Sequence, residues 1–327
     1  WLSTVRGDTT VIVSEHRPVP LDQWMMLGRK IYPLFEPESG GQVNSELERR
    51  IQRLEAGDTD DGRADYKSGK GFRARARHKG GGRSEFHGKG RGRSGAARQQ
   101  DRYRPLGRPE VLKVLQSQDM LPAITFIFSR AGCDGALYQC LRSRMVLTSQ
   151  EEAQQIKEIV DAGVEGIPEE DLQVLDFKRW REALSRGFAA HHAGMLPAFR
   201  HIVEDLFVRG LVRAVFATET LALGINMPAR TVVLEKLIKF NGEAHVDLTP
   251  GQYTQLTGRA GRRGIDTLGN AVVQWAPAMD PRQVAGLAST RTYPLISTFA
   301  PGYNMAINLL GMLGFEESLR LLEKSFA

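Results

Sequence analysis

Residues 123–128 read AITFIF, an uninterrupted apolar run typical of a strand that is buried on both faces of a sheet. A helical spacing of apolar residues follows this run, and the same order of strand and helix recurs along the chain. We predict strands at 123–128, 188–191, 211–217, 231–235 and 270–275, and helices at 110–117, 132–144, 197–209 and 250–259. Strands that alternate with helices predict an α/β fold, in which helices cover both faces of a parallel sheet.

The net charge of +6 is distributed unevenly along the 327 residues. Residues 56–108 hold 15 Lys and Arg against 6 Asp and Glu, which is a net charge of +9, whereas the rest of the chain carries −3. This segment is rich in Gly and Arg and poor in large apolar residues, so we predict that it is disordered. Its charge favours association with the phosphates of a nucleic acid, and the alternative is a solvated linker that only spans a distance.

These patterns divide the chain into four parts. We predict an extended connector at 1–55, the basic segment at 56–108, the α/β domain at 109–278 and the start of a helical module at 279–327. Residues 151–187, charged and helical, are predicted to be an insertion in the α/β domain or a lengthened crossover between two of its strands. No stretch approaches the roughly 18 apolar residues of a membrane span, which argues against a membrane partner. Two cysteines are too few for a disulfide framework or a metal cluster, which favours a cytoplasmic protein without a metal site.

The stretch QLTGRAGRRG at 255–264 places three arginines, Arg259, Arg262 and Arg263, within five residues. The small residues between them let the backbone approach a ligand, and guanidinium groups bind phosphate oxygens through two parallel hydrogen bonds. This stretch is therefore a candidate phosphate site. The alternative is a cluster of surface charges in a turn.

Three more polar stretches follow predicted strands: Ser129-Arg130, His191-His192-Ala193-Gly194 and residues 217–228. Ligands of open parallel sheets bind at the carboxyl ends of strands, so we expect all four stretches, the arginine-rich one included, at that edge. Ordinary strand-to-helix connections are the alternative. Two adjacent histidines could indicate a metal site, but their side chains point apart and no other ligand lies at a suitable spacing. We therefore favour a phosphate or ribose contact, or a structural role.

In combination, these stretches resemble the conserved motifs of superfamily-two helicases. Residues 128–130 resemble motif IV, residues 218–228 motif V and residues 255–264 motif VI. Together with residues 191–194, they resemble the exosome-associated, superkiller-type DExH RNA helicases, most closely their bacterial HelY-like branch. The resemblance is strong over 121–275 and implies a RecA-like domain, the C-terminal half of such an enzyme. Towards the ends it is weaker, and it implies an interdomain connector before this domain and the start of a winged-helix domain after it.

The resemblance implies a role for each matched residue. Arg259 and Arg262 would be arginine fingers at the γ-phosphate of ATP held by another RecA half, with Gln255 close to the same nucleotide. The other ATP-binding residues that it implies are Gly224, Asn226 and Arg263. The RNA-binding residues that it implies are Thr218, His191, His192, Gly194, Ser129 and Arg130.

The sequence lacks the residues that hold ATP in such enzymes. A P-loop needs Gly-x-x-x-x-Gly-Lys followed by Ser or Thr, whereas both Gly69-Lys70 and Gly88-Lys89 are followed by Gly. The Asp-Glu dipeptide of a DExH box is also absent from these 327 residues. We therefore expect ATP and Mg²⁺ to be held mainly by a first RecA half that is missing from this chain. We expect the chain to be a piece of a longer protein and to be inactive alone.

By resemblance, the complete enzyme would use ATP to move 3′ to 5′ along single-stranded RNA, and an RNA-degrading nuclease is a candidate partner. Two alternatives remain at this stage. Related DNA helicases share motifs V and VI, so a DNA substrate is the first alternative. The second is a non-enzymatic RNA-binding adaptor that has kept a RecA fold without its catalytic half. A P-loop and a DExH box in the reading frame upstream of Trp1 would favour the enzyme.

Overall fold

The computed structural model describes residues 3, 6–12, 17–37, 41–56, 103–222, 227–240, 242–290 and 299–324. The chain separates into two units. The larger unit is Val19–Ser289, and the smaller one consists of Trp1–Pro18 and Thr290–Ala327. The larger unit contains every candidate site residue that the structure describes. The predictions for Gly224, for Asn226 and for most of the basic segment lie outside the described residues.

Nine strands are present in the described residues. They are β1 (Leu21–Leu27), β2 (Lys30–Pro33), β3 (Ala123–Phe126), β4 (Phe188–His191), β5 (Ala214–Ala217), β6 (Thr231–Leu234), β7 (Ile238–Phe240), β8 (His245–Asp247) and β9 (Gly269–Gln274). Seven of them form one sheet in the order β2-β1-β9-β6-β3-β5-β4, and β7 and β8 form a separate antiparallel hairpin. All neighbours in the large sheet are parallel except β1 and β2. The predicted α/β class is confirmed.

Helices cover both faces of this sheet. In chain order they are α1 (Ser45–Glu55), α2 (Arg108–Ser117), α3 (Arg130–Arg142), α4 (Gln150–Gly163), α5 (Glu169–Val174), α6 (Phe177–Ser185), α7 (Pro197–Val208), α8 (Pro250–Thr257) and α9 (Pro281–Ser289). Successive strand residues point to opposite faces, so Val232 belongs to one apolar cluster and Val233 to the other. Helices α2 and α3 pack in the second cluster, and α4, α7 and α8 pack in the first. This burial on both faces explains the uninterrupted apolar strands.

Residues 1–55, predicted to be a connector, contribute two strands and a helix to the large unit. Strand β1 pairs in parallel with β9, from Leu21 opposite Gly269 to Met26 opposite Gln274. The side chains of Met25, Met26 and Leu27 are at most 1% exposed. Residues 19–55 therefore belong to the α/β domain, since β1 is an inner strand of its sheet.

Tyr103 is the first described residue after Ala56, and it lies within the range predicted to be disordered. The Tyr103 ring meets the Trp275 ring edge-on at a centroid distance of 4.7 Å, and the Tyr103 hydroxyl accepts a hydrogen bond from the Gly28 N–H at 3.0 Å. Residues 103–108 are thus attached to the domain ahead of the predicted boundary at 109. The rest of that prediction concerns residues 57–102 and stays a prediction.

In the smaller unit, α10 (Tyr303–Glu323) is broken at Gly314, whose φ of 74° is not helical. This break matches the two helices expected in the C-terminal module. No helix among the described residues is long and apolar enough to cross a membrane.

Candidate functional site

Three of the predicted polar loops lie together at the carboxyl edge of the large sheet. They follow β3, β4 and β5, which are neighbours in the sheet. The N–H of Thr218 donates to the carbonyl of His191 at 3.2 Å, so the loops after β5 and β4 touch. Gly194 lies against Arg130, because a methyl group on Gly194 would stand 3.2 Å from the Arg130 Cδ. The structure therefore brings together the candidates expected to contact RNA.

The two histidines face opposite ways, and neither is exposed. His191 is 2% exposed and its Nε2 lies 2.8 Å from the carboxylate of Glu204 on α7. Burial lowers the pKa of His191 below its usual value, and Glu204 opposes this only in part. Any effect of His191 on a ligand must therefore pass through the backbone of its loop.

His192 fixes the shape of the same loop from the other side. Its Nδ1 accepts a hydrogen bond from the Gly194 N–H at 3.2 Å, so its proton is on Nε2, which donates to Asp134 on α3 at 3.1 Å. The side chain is 6% exposed. His192 thus ties the loop to the start of α3, where Arg130 is located.

Ser129, Arg130 and Thr218 are the accessible polar side chains of this edge. Ser129 caps α3 by accepting the Gly132 N–H at 3.0 Å, and both Ser129 and Arg130 are exposed. The hydroxyl of Thr218 lies 2.9 Å from the hydroxyl of Thr220. Backbone amides at the start of α3, the Arg130 guanidinium and these hydroxyls together form a surface suited to phosphate oxygens.

The arginine-rich stretch lies at the opposite, amino edge of the sheet, and the prediction of one shared edge was wrong in this respect. Ala260 forms a parallel bridge with Ala229, which precedes β6, and the Gly261 N–H donates to the Ala229 carbonyl at 2.7 Å. The physical reason is its place in the chain: the stretch connects the end of α8 to the beginning of β9. Thr218 at the carboxyl edge and Ala229 at the amino edge are thus separated along the strand direction by roughly 13 Å, the length of a strand of four residues.

Arg262 is held by a carboxylate that the sequence analysis did not single out. Its Nε and Nη2 donate to Asp266 at 2.8 Å each, and its backbone N–H donates to the same carboxylate at 2.9 Å. The Nε of Arg230 donates to Asp266 at 3.0 Å. Burial alone would raise the pKa of Asp266, but these hydrogen bonds from Arg262 and Arg230 lower it to about 2. Asp266 is thus a permanent carboxylate that fixes Arg262 and leaves its Nη1 for a ligand.

Arg259, unlike Arg262, makes its contact with the loop after β5. Its Nη2 donates to the carbonyl of Ala222, at the end of the short 3₁₀ helix Glu219–Ala222, so it links the arginine-rich stretch to residues 218–229. Burial lowers the pKa of Arg259 from its usual value, which leaves it a cation at neutral pH. Gln255 and Arg263 are exposed on the same stretch. The spacing of Arg262 and Asp266 was the available sequence signal for their contact, whereas nothing local indicated the partner Arg230.

Comparison with known proteins shows which family this part of the chain is similar to. Residues 164–264 match the helicase conserved C-terminal domain. Over these residues the chain is similar to a helicase C-terminal domain. The loop after β5 and the arginine-rich stretch, which resemble motifs V and VI in sequence, both lie within the matched residues.

Several curated helicases are similar to the chain. The probable helicase HelY of Mycobacterium tuberculosis strain H37Rv is 57% identical over 333 residues, which cover 100% of this chain and 34% of that protein. The DExH-box ATP-dependent RNA helicase DExH15, chloroplastic, of Arabidopsis thaliana is 34% identical over 368 residues, 100% of this chain and 29% of that protein. The exosome RNA helicase MTR4 of Homo sapiens is 35% identical over 217 residues, 66% of this chain and 20% of that protein. The chain spans about a third of the length of the HelY proteins it matches.

Together, the domain match and these relatives support a superfamily-two helicase. Within the described residues, no three His, Cys, Asp or Glu side chains are grouped so that they could hold a metal ion. Cys133 and Cys140 are buried, and burial raises the pKa of each thiol to about 12. Both cysteines therefore behave as inert core residues of the helicase domain.

Proposed function

We propose that this chain is the second RecA-like half of an ATP-dependent RNA helicase. The observation that carries the proposal is the separation of two sites across one sheet: motif VI with Arg259 and Arg262 at the amino edge, and the phosphate-binding surface around Arg130 and Thr218 at the carboxyl edge. A motor that couples a nucleotide to a strand needs two such sites. The relatives named as RNA helicases support RNA as the strand.

On the nucleotide side, Arg259 and Arg262 are suited to the terminal phosphate of ATP. ATP with Mg²⁺ supplies the phosphoryl group whose transfer to water drives the motor, and we place its main binding site on a first RecA half. The Arg262 fork is occupied by Asp266, so Nη1 is the nitrogen that would meet phosphate, and the ion pair orients it before the ligand arrives. Preorganised positive charge of this kind stabilises the charge that develops during phosphoryl transfer. Gln255, Arg263, Gly224 and Asn226 are proposed to complete the nucleotide contacts.

On the RNA side, Ser129, Arg130, Gly194 and Thr218 are proposed to hold the strand. The exposed Arg130, against which Gly194 of the 191–194 loop lies, provides donors for backbone phosphates. His191 and His192 are buried, so we assign them to holding this loop in place through Glu204 and Asp134. Contacts to phosphates carry little sequence information, so the strand would be bound without strong sequence preference.

Residues 218–229 are the physical connection between the two sites. They begin at Thr218, which contacts the His191 loop, and end at Ala229, which is bonded to Gly261 of motif VI. Arg259 also donates a hydrogen bond to the Ala222 carbonyl of this segment. A shift of motif VI towards a phosphate would therefore act on Ala222, through its bond to Arg259, and so on the short helix Glu219–Ala222 that follows Thr218 at the strand-binding surface. We propose this as the route by which hydrolysis drives 3′ to 5′ translocation.

The test uses the intact protein that contains this chain. We expect ATP hydrolysis that is stimulated by single-stranded RNA and much less by a single-stranded DNA of the same sequence. Arg130→Ala should weaken RNA binding, and Arg142→Ala, at an exposed position near the end of α3, serves as the control. Equal stimulation by DNA would favour a DNA helicase, and absence of hydrolysis in the intact protein would favour the adaptor. The 327 residues alone should not hydrolyse ATP, because the P-loop is missing from them.

A further inference from the structure

A cationic cavity lies between strand β2 and helix α1, outside the two sites described above. Its volume is about 390 Å³, and we call it the α1–β2 basic pocket. The residues that line it are Lys30, Tyr32, Glu46, Arg49, Arg50 and Arg53. Four cations face one carboxylate in this lining, so the pocket carries an excess of positive charge that suits an anion.

Helix α1 places its arginines in the pocket because it is amphipathic. Leu47 and Ile51 are at most 5% exposed and attach the helix to the core. The pocket residues Glu46, Arg49, Arg50 and Arg53 follow the i, i+3, i+4, i+7 spacing of one helical face. Arg49 and Arg53 are a like-charged i, i+4 pair, an arrangement that is unfavourable in isolation. An anion between them would relieve this repulsion.

Two carboxylates near the pocket have hydrogen-bond partners outside its lining. Glu48 of α1 pairs with Arg282, 2.8 Å away, and the Glu36 carboxylate accepts the backbone N–H of Ser45 at 2.8 Å. Glu46 is thus the one acidic group that lines the pocket. The lining itself therefore holds more cations than carboxylates.

The position of the pocket in the sheet indicates the kind of anion. Lys30 pairs with Leu27, the last residue of β1, so it lies at the carboxyl edge, the same edge as the Arg130 and Thr218 loops. β2 and β4 are at opposite ends of the seven-stranded sheet, which separates them by roughly 29 Å at the usual strand spacing. In the sequence, α1 ends directly before the segment 56–108 with its net charge of +9. An extended polyanion that runs along this edge would meet both the pocket and the Arg130 and Thr218 loops.

We propose that the α1–β2 basic pocket is an additional phosphate-binding site that takes backbone phosphates of a single-stranded RNA. Arginine forks suit this ligand because each can hold two oxygens of one phosphate. The inference rests on the proposed function in one respect, since the strand is the one held at Arg130 and Thr218. The pocket would extend the footprint of that strand without reading its sequence.

The experiment measures oligouridine affinity over a series of salt concentrations for Arg49→Ala/Arg53→Ala and for the wild type. A control, Arg142→Ala/Lys178→Ala, removes two exposed charges from α3 and α6. For a long strand, the pocket variant should bind more weakly and lower the slope of log affinity against log salt by about 1.4, since each phosphate contact on a single strand contributes roughly 0.7. For a short strand that fills only the Arg130 and Thr218 site, its affinity should equal that of the wild type. The melting temperature should stay the same or rise, because like charges have been removed.

Two outcomes would overturn the proposal. The first is a salt slope for the long strand that is the same in the pocket variant, the control and the wild type. The second is a pocket that binds inorganic phosphate at constant ionic strength, with the variant impaired only in that binding; the ligand would then be a free anion. Failure of the proposed function is a separate result, in which Arg130→Ala binds both short and long strands as well as the wild type does.

Discussion

The carboxylate of Asp266 holds the guanidinium of Arg262 through two parallel hydrogen bonds, from Nε and Nη2 at 2.8 Å each. The Asp266 side chain is 1% exposed, and the Arg262 side chain is 20% exposed. An arginine proposed to meet the γ-phosphate therefore already has a partner within its own motif. The pair fixes the direction of Arg262, and removing either member should affect both stability and catalysis.

We predict that Asp266→Asn lowers the free energy of unfolding by about 3 kcal/mol, because it leaves the charge of a part-buried arginine without its partner. Asp119→Asn is a matched control, since Asp119 binds the same Arg230 but its side chain is 94% exposed. Its loss should cost under about 1 kcal/mol, as for other exposed ion pairs. Urea denaturation of the two variants measures the difference. Equal losses would show that Asp266 contributes little.

The same pair predicts a pH dependence of stability. The pKa of Asp266 is about 2 in the folded protein, below the value of about 3.9 expected in the unfolded chain. A lowered pKa means that this stability is fully present above pH 4 to 5 and is lost as the pH falls through about 2, with a total of about 2 to 3 kcal/mol. The stability difference between wild type and Asp266→Asn should thus be constant from about pH 5 to 8 and shrink below about pH 4. A difference that grows on acidification would contradict this assignment.

Gly261→Ala should destabilise the domain more than Gly264→Ala does. Both glycines have positive φ, 89° and 77°, a conformation that costs other residues about 1 to 2 kcal/mol. At Gly261 a methyl group would also stand 2.7 Å from the Cγ1 of Val19, whereas at Gly264 nothing lies within 4 Å. The difference between the two free energies of unfolding isolates the close approach of motif VI to Val19. Equal values would mean that Val19 moves aside freely.

Deletion of residues 62–102 should weaken RNA binding and flatten its salt dependence. The deleted part holds 13 Lys and Arg against 3 Asp and Glu, and Tyr103 is kept because its ring packs on Trp275. A replacement by Gly and Ser of the same length preserves the spacing while removing the charge. If the replacement binds with the same salt slope as the wild type, the segment is only a spacer.

The central strands could be predicted from the sequence because their signal is local. Burial on both faces makes AITFIF at 123–128 apolar throughout, and the strand found there is 0 to 3% exposed. Strand β1 could not be predicted in the same way. Its partner β9 is far along the chain, with Trp24 donating to Asn270 across 246 residues, and the basic segment separates β1 from the rest of the domain.

The candidate sites show the same division between local and long-range information. The loops after β3, β4 and β5 were correctly placed at one edge, since a strand end is visible in the sequence. The amino-edge position of motif VI was also available from the sequence, since the stretch connects the predicted helix at 250–259 to the start of the predicted strand at 270–275, and the bridge between Ala229 and Ala260 shows this position. The burial of His191, in contrast, depends on Glu204, which α7 brings to it. Long-range packing therefore decides which polar residues remain accessible to a ligand.

Arg262→Ala in the intact enzyme should lower kcat by about 10³ to 10⁵, because arginine fingers contribute this much to phosphoryl transfer, which is roughly 4 to 7 kcal/mol. RNA affinity should stay near the wild-type value, since Arg262 lies at the amino edge and the RNA loops lie at the other. Arg262→Lys should be nearly as impaired. It keeps the charge but loses the fork that pairs with Asp266 and so aims Nη1.

Three controls separate this catalytic effect from a loss of structure. Arg142→Ala removes an exposed arginine elsewhere on the domain and should leave kcat unchanged. Asp266→Asn shares the broken ion pair but keeps the Arg262 guanidinium, so its kcat should fall less than that of Arg262→Ala. Circular dichroism at the assay temperature confirms that each variant is folded. If Arg262→Ala instead retained kcat within about threefold of wild type, the loss would be far short of the effect of an arginine finger. If RNA affinity collapsed at the same time, Arg262 would be an RNA ligand. Motif VI would in that case face the strand and not the nucleotide.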